Sequence, residues 1–140
     1  MSEANFTEFD HTGDVGIEVS AASRPALFGC ALVAMARLMV AGDAIRALET
    51  RTVSVSANND IDLIHHLLSA ALNLFLVDEF IWRDASVVAT GGGLTAQLAG
   101  ETFDRLRHEF RGEIKAVTYH QLSVSQHKTG DWRARIIFDR

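Results

Sequence analysis

The sequence predicts an α+β fold: one layered domain, residues 1–140, with two main helices packed on a largely antiparallel or mixed β-sheet. Three observations predict it. Several short segments alternate apolar and polar residues, as half-buried strands do, and two longer segments carry apolar residues at helical spacing. These segments do not follow a regular βα repeat, which favours a layered α+β arrangement. The length of 140 residues suits a single domain.

The N-terminal part of the chain is predicted to form two strands and a helix. A short strand at residues 6–9 precedes a second at 15–20, where apolar and polar residues alternate strictly. Ser23 is a candidate N-cap for the first helix, and Gly42 is predicted to end it. Because this helix is apolar on most sides, we expect it to lie at the centre of the core.

The middle of the chain is predicted to add a strand, the second helix and a hairpin. Residues 52–57 alternate as a strand does, and either Asn59 or Asp60 can cap a helix over residues 61–77. Residues 81–89 and 94–98 are predicted to pair as strands around a glycine turn at 91–93. That glycine run lacks the Lys-Ser/Thr of a phosphate-binding loop, so a hairpin turn is the preferred interpretation.

The C-terminal part is predicted to end in a hairpin. Residues 101–111 fit either a short helix or an irregular crossing. Residues 117–126 have an extended pattern, 127–131 form a turn, and 132–139 alternate as a strand.

Composition and charge limit the classes of function. The formal net charge is −5, from 13 Lys and Arg against 18 Asp and Glu. A protein that grips nucleic acid by itself usually has a basic excess, so we expect RNA to be contacted only through a partner. The single cysteine excludes an internal disulfide. No signal peptide and no membrane-spanning segment is recognisable, so we expect a cytoplasmic protein without membrane contact.

Two parts of the chain carry acidic residues that are candidates for metal binding. Asp10, His11 and Asp14 lie within five residues, and Gly13 allows the tight turn that would gather them. Carboxylates suit Ca²⁺ or Mg²⁺, and a histidine would also admit Mn²⁺ or Zn²⁺; polar turns of this kind more often cap the backbone. Asp139 follows an apolar strand that predicts a docked C-terminus, although chain ends are usually solvated. The adjacent His65 and His66 point about 100° apart on a helix, which argues against a shared metal.

Several segments, in order along the chain, resemble signatures of the archease family. The run FDHTGDVGI at residues 9–17 resembles its opening signature. Gly100-Glu101, IKAVTYH at 114–120 and WRARIIFD at 132–139 resemble three later ones. The resemblance runs nearly end to end. This chain departs from the family pattern at Gly13, where alanine is usual, at Arg140, where an apolar residue is usual, and at His66-Leu67, where many relatives carry Trp-Leu.

The resemblance implies a function and a set of site residues. Archeases are accessory proteins of the RtcB-type RNA ligase in tRNA splicing and RNA repair, and they promote its guanylylation and multiple turnover. The implied divalent-metal site consists here of Asp14, Asp139 and the terminal carboxylate of Arg140, with Ca²⁺, Mg²⁺ or Mn²⁺ as the ion. His11, Asp10 and Lys115 are expected neighbours of this site. Lys115 suits contact with a phosphate or an acidic partner, although a solvated lysine at a strand edge is the commoner case.

Two other functions remain open at this point. A metal-dependent phosphoesterase could use the same acidic residues, but the sequence shows no further acid–base pair at a recognisable spacing. A metal-free, chaperone-like binding module would need no ion. We expect an accessory protein and not an enzyme. Whether the ion acts in the ligase mechanism or only holds the C-terminus in place is left open.

Overall fold

The computed structural model of the chain describes residues 6–11 and 13–140, and for Asp10 and His11 it describes the backbone alone. Its elements are, in chain order, β1 (Phe6–His11), β2 (Asp14–Ala21), α1 (Arg24–Met39), β3 (Glu49–Ser56), α2 (Asp60–Asp78), β4 (Phe80–Thr90), β5 (Gly93–Thr102), β6 (Ala116–Val117), β7 (Ser123–Gln126) and β8 (Trp132–Asp139).

The predicted α+β class is confirmed, but the strands form two sheets and not one. A five-stranded sheet has the order β1-β2-β8-β6, with β7 also paired to β8. A three-stranded sheet has the order β3-β5-β4. Every pairing between the described strands is antiparallel.

Helix α1 lies at the centre of the core, as its composition predicts. It packs on β4 of one sheet and on β2 and β8 of the other. The indole N–H of Trp82 on β4 donates to the Leu32 carbonyl of α1 at 2.9 Å, which satisfies a buried donor. Side chains on every side of α1 are buried, among them Leu27, Phe28, Leu32, Met35 and Met39.

Side chains cap the N-termini of both helices at predicted positions. The Ser23 hydroxyl accepts from the Ala26 amide at 3.3 Å, and Asn59, not Asp60, accepts from the Asp62 amide at 2.8 Å. The predicted end of α1 is wrong. The helix stops at Met39, and Val40 is extended because it bridges to Phe110, so Gly42 plays no part in the cap.

Helix α2, with 19 residues, is long and apolar enough to span a membrane by length and composition alone. The expectation that no segment of the chain could span a membrane is therefore wrong with respect to length and composition. Six of its residues are buried in the core, as expected of a helix packed on β3: Leu63, Ile64, Leu67, Leu68, Ala71 and Leu72. Its last turn leaves Leu76 and Val77 exposed.

The C-terminal half follows the predictions with one correction. The β4–β5 hairpin turns at Gly91, whose positive φ of 58° suits glycine. Of the segment predicted at 101–111, residues 101–102 belong to β5, and residues 103–111 form an irregular crossing and not a short helix. The continuous extended segment expected at 117–126 is wrong, because a turn with Gln121 at φ 52° divides it into β6 and β7. The hairpin of β7 and β8 is confirmed.

Candidate functional site: an acidic pair across the five-stranded sheet

Asp14 and Asp139 are direct partners in the pairing of β2 with β8. Asp14 begins β2 and Asp139 ends β8, and because the strands are antiparallel these two positions meet. Directly opposed residues of an antiparallel pair lie on one face of the sheet, with Cα atoms about 4.5–5.5 Å apart. The fold therefore places two carboxylates of distant sequence position side by side.

The end of β8 is held on its other edge as well. Asp139 pairs with Ala116 of β6, and its carbonyl accepts from the Lys115 amide at 2.7 Å. The preceding Phe138 is fully buried. Asp139 therefore has a fixed backbone inside the sheet, in contrast to a frayed chain end, as its apolar strand predicts.

Both acidic side chains remain accessible from solvent. Asp139 is exposed and Asp14 is partly exposed, while their neighbours Val15 and Phe138 point into the core. Accessible, adjacent carboxylates are suitable ligands for a hard divalent cation, which takes six to eight oxygen ligands and accepts water among them. The donor set of Asp14 and Asp139 thus fits the implied ion.

The remaining predicted ligands are less defined. Among the residues whose side chains are described, no three His, Cys, Asp or Glu groups converge on one point. The His11 backbone lies opposite Asp14 and the Asp10 backbone opposite Val15, but the predictions for their side chains fall outside the described residues. Arg140 is exposed and follows Asp139 directly, so its carboxylate is adjacent to the pair in sequence. Metal binding by these residues stays a prediction.

Next to the acidic pair, on the same face of the sheet, the side chains of Phe9 and Arg135 stack above Gly16. The Phe9 ring covers Gly16, where an added Cβ would lie 2.1 Å from the ring. The Arg135 guanidinium lies 4.1 Å from the centre of the Phe9 ring and donates to Glu18 at 2.6 Å. Gly16 is thus required for the close approach of Phe9, which holds β1 on the sheet beside the acidic pair.

The 114–120 signature is largely structural. The Thr118 hydroxyl donates to the Ile137 carbonyl at 2.9 Å. Tyr119 stacks on His65 at 3.9 Å between ring centres and donates to Asp62 at 3.1 Å, so it joins this segment to α2. The Lys115 side chain is exposed, and it forms no hydrogen bond or ion pair with the described residues.

The two adjacent histidines of α2 contact different parts of the chain, as their spacing predicts. His65 Nε2 lies 2.9 Å from the Val117 carbonyl, and His66 Nδ1 lies 3.4 Å from the Ser56 carbonyl. Their rings are 6.2 Å apart and nearly perpendicular. The arrangement gives no common metal point.

A buried charged network near the end of β5 is the feature that sequence reasoning missed. Glu101 accepts a bidentate contact from Arg107, an amide hydrogen bond from Arg46 at 2.7 Å, and a bond from His108 at 2.9 Å. Because the Asp104 amide donates to His108 Nδ1, the proton of His108 is on Nε2 and is donated to Glu101. The Arg107 hydrogen bond is the main reason that the pKa of Glu101 is lowered to about 2.

This network is a structural anchor. Glu101 and His108 are the buried polar residues among those described, and the network ties the 42–48 loop and the 103–111 crossing to the end of β5. The signal for it in the sequence was the Gly100-Glu101 signature. An added Cβ on Gly100 would lie 2.0 Å from the Ile81 carbonyl oxygen, so this glycine lets β4 approach.

Comparisons with known proteins agree with this architecture. A profile of the archease protein family matches residues 6–139. A protein archease from Methanosarcina barkeri is 33% identical over 136 residues, covering 93% of this chain and 92% of the relative. A protein archease from Pyrococcus abyssi is 27% identical over 135 residues, covering 94% and 95%.

Two solved structures have the same fold. The solution structure of protein 1598 from Methanobacterium thermoautotrophicum has a TM-score of 0.78 and 28% identity, covering 96% of this chain and 98% of that one. The crystal structure of an archease from Thermotoga maritima, described as a possible chaperone, has a TM-score of 0.65 and 19% identity, covering 94% of each chain. From the profile match and the Methanosarcina relative, we conclude that the chain belongs to the archease family.

Proposed function

We propose that this protein activates an RtcB-type RNA ligase by promoting its guanylylation and multiple turnover in tRNA splicing and RNA repair. Family membership supports the proposal. The observation that carries it is the pairing of Asp14 with Asp139, because it provides two accessible carboxylates where the family pattern implies a divalent ion. The terminal carboxylate of Arg140 is the proposed third ligand.

The proposed ion is Ca²⁺, Mg²⁺ or Mn²⁺. Such an ion, when bound, can neutralise charge on phosphate oxygens during nucleotidyl transfer. The residues of this chain would hold the ion at the end of the sheet where β2 begins and β8 ends. With a net charge of −5, the protein would leave RNA binding to the ligase.

The test measures ligase guanylylation and turnover in the presence of wild-type, Asp14→Asn and Asp139→Asn proteins. We expect both variants to lose most of the stimulation while remaining folded. Glu18→Gln is the matched control, since Glu18 is exposed on the same face of β2 and pairs with Arg135. It should stimulate as the wild type does.

The same experiment separates the alternatives. Full stimulation by both Asp variants would remove the acidic pair from the mechanism. Failure of the wild-type protein to stimulate any RtcB-type ligase tested would contradict the proposed function. Phosphoesterase turnover by the purified protein, lost in Asp14→Asn, would favour a hydrolase instead.

A further inference from the structure

A very short strand borders the end of β8 on the edge opposite β2. Strand β6 consists of Ala116 and Val117, which pair with Asp139 and Phe138, and among the described strands it pairs with β8 alone. Residues 111–115 before it have no regular secondary structure. Strands usually have three or more residues, so a strand of two needs contacts from elsewhere to keep its place.

Helix α2 supplies these contacts through His65. The ring of Tyr119, two residues beyond β6, stacks on the His65 ring at 3.9 Å with 11° between the planes. His65 Nε2 lies 2.9 Å from the Val117 carbonyl, and because a carbonyl can only accept, Nε2 carries the proton and donates it. We define His65, Tyr119 and Asp62 as the α2 brace, since together they join β6 to the helix.

Asp62 fixes the brace to the first turn of α2. One of its carboxylate oxygens accepts from the Tyr119 hydroxyl at 3.1 Å, and the other accepts from the Asn59 side-chain amide at 3.0 Å. The pKa of the Tyr119 phenol is raised, chiefly by the loss of water around it and further by Asp62, so the hydroxyl keeps its proton and donates. The brace is therefore anchored to the residue that caps the helix.

One atom of His65 is unfavourable for packing. Its Nδ1 is buried and has no hydrogen-bond partner among the described residues. A buried acceptor without a partner lowers stability, and an apolar side chain at this position would avoid that cost. The hydrogen bond to Val117 and the stack on Tyr119 are thus what distinguish His65 from an apolar residue.

The part of the chain that the brace holds also holds Asp139. The Lys115 amide, two residues before Val117, donates to the Asp139 carbonyl at 2.7 Å. Ala116, between them, is the strand partner of Asp139. On its other edge β8 pairs Asp139 with Asp14. A displacement of β6 would therefore move one member of the acidic pair relative to the other.

We propose that His65 and Tyr119 are positioning residues of the acidic pair: through β6 they hold Asp139 where its carboxylate and that of Asp14 can bind one divalent ion. This inference rests on the proposed function, which supplies the ion. The two side chains are not proposed as ligands. They act through the Val117 carbonyl and through the pairing of β6 with β8.

Amide hydrogen exchange of the apo protein, followed by NMR, tests the brace without any ion. In His65→Leu and in Tyr119→Leu we expect the Lys115 amide to exchange about tenfold faster or more, because its bond to Asp139 opens locally. Tyr119 is 51% exposed, so its substitution leaves the core intact. Amides of β3 and β5 serve as the internal reference and should exchange as in the wild type.

His66→Leu is the matched control. His66 is the next residue of α2, it is exposed, and its ring contacts Ser56 and not β6. The same substitution at this position should leave the exchange of the Lys115 amide unchanged.

Calorimetric titration with Mn²⁺ tests the positioning role. We expect His65→Leu and Tyr119→Leu to weaken Mn²⁺ binding by about fivefold, somewhat less than the loss of a direct neighbour of a metal ligand, with one ion per chain still bound. Tyr119→Phe keeps the stack and lacks only the bond to Asp62, so it should restore binding. Its affinity and that of His66→Leu should lie within about twofold of the wild type.

The outcomes separate this inference from the proposed function. Wild-type Mn²⁺ affinity in both leucine variants of the brace, with faster Lys115 exchange, would overturn the positioning role and leave a structural contact only. Unchanged Lys115 exchange would overturn the brace itself. An equal loss of affinity in His66→Leu would show a general effect of altering α2 and would also contradict the inference. Absence of Mn²⁺ binding by the wild type would contradict the proposed metal site, and the positioning role with it.

Discussion

Asp14 and Asp139 face each other across antiparallel strands, one at the first residue of β2 and the other at the last residue of β8. The five-stranded sheet thus brings together two acidic residues that lie far apart in the chain. Like charges placed directly opposite each other destabilise a sheet. A bound divalent cation would offset that repulsion and would therefore stabilise this end of the sheet.

Gly100→Ala should destabilise the fold strongly. Its Cβ would lie 2.0 Å from the Ile81 carbonyl oxygen and 2.6 Å from the Trp82 Cα, so the backbone of β4 must move. We expect a loss of about 3 kcal/mol in the free energy of unfolding, measured with urea. Gly92→Ala is the control, since its nearest neighbour would be 3.9 Å away, and it should change stability by less than about 0.5 kcal/mol. Equal effects of the two substitutions would contradict the close approach.

Glu101→Gln should destabilise the protein by about 2 kcal/mol or more at neutral pH, because Arg107 loses a buried charged partner. The pKa of Glu101 is lowered from 4.5 to about 2, chiefly by the Arg107 hydrogen bond. A lowered carboxyl pKa gives stability that is complete above about pH 4.5 and is lost as the pH falls toward 2. The difference in unfolding free energy between wild type and variant should therefore shrink over that range.

The control for Glu101 is Glu49→Gln. Glu49 is exposed and pairs with Arg51, and such surface pairs contribute about 0–1 kcal/mol. A difference between wild type and Glu101→Gln that stays constant from pH 5 to pH 2 would show that the carboxylate is not the source of the stability.

Lys115→Ala should leave the fold intact and lower the stimulation of the ligase several-fold. The backbone amide of Lys115, and not its side chain, holds the end of β8, so unfolding free energy should change by less than about 0.5 kcal/mol. The Lys115 side chain is exposed and can contact a phosphate or an acidic partner surface. Lys128→Ala, in the β7–β8 turn, changes the same charge elsewhere and should stimulate as the wild type does. Equal stimulation by both variants would exclude a role for Lys115.

Local patterns in the sequence predict those elements that are set by residues close together in the chain. The alternation over residues 132–139 predicts β8, and the Ser23 cap predicts the start of α1, because each depends on neighbours in sequence. The division of the strands into two sheets depends on which strands pair. The alternation of apolar and polar residues within a strand does not determine its partner. The same holds for residues 117–126, where contacts of Thr118 with Ile137 and a turn at Gln121 interrupt the strand.

The candidate site was predictable only through the resemblance to archeases. Asp10, His11 and Asp14 alone fit an ordinary polar turn, and Asp139 alone fits an exposed tail. Their relation is a long-range pairing that no local pattern contains. The Glu101 network escaped prediction for the same reason, since its partners Arg46, Arg107 and His108 come from two separate loops.

Calorimetric titration of the apo protein with Mn²⁺, Mg²⁺ and Ca²⁺ tests the metal site most directly. We predict one ion per chain for the wild type and for Glu18→Gln. Asp14→Asn and Asp139→Asn should each weaken binding by about tenfold or more, since loss of a direct ligand costs at least as much as loss of a neighbour of that ligand. Equal affinity of wild type and both Asp variants, or no binding by the wild type, would contradict a shared ion between β2 and β8.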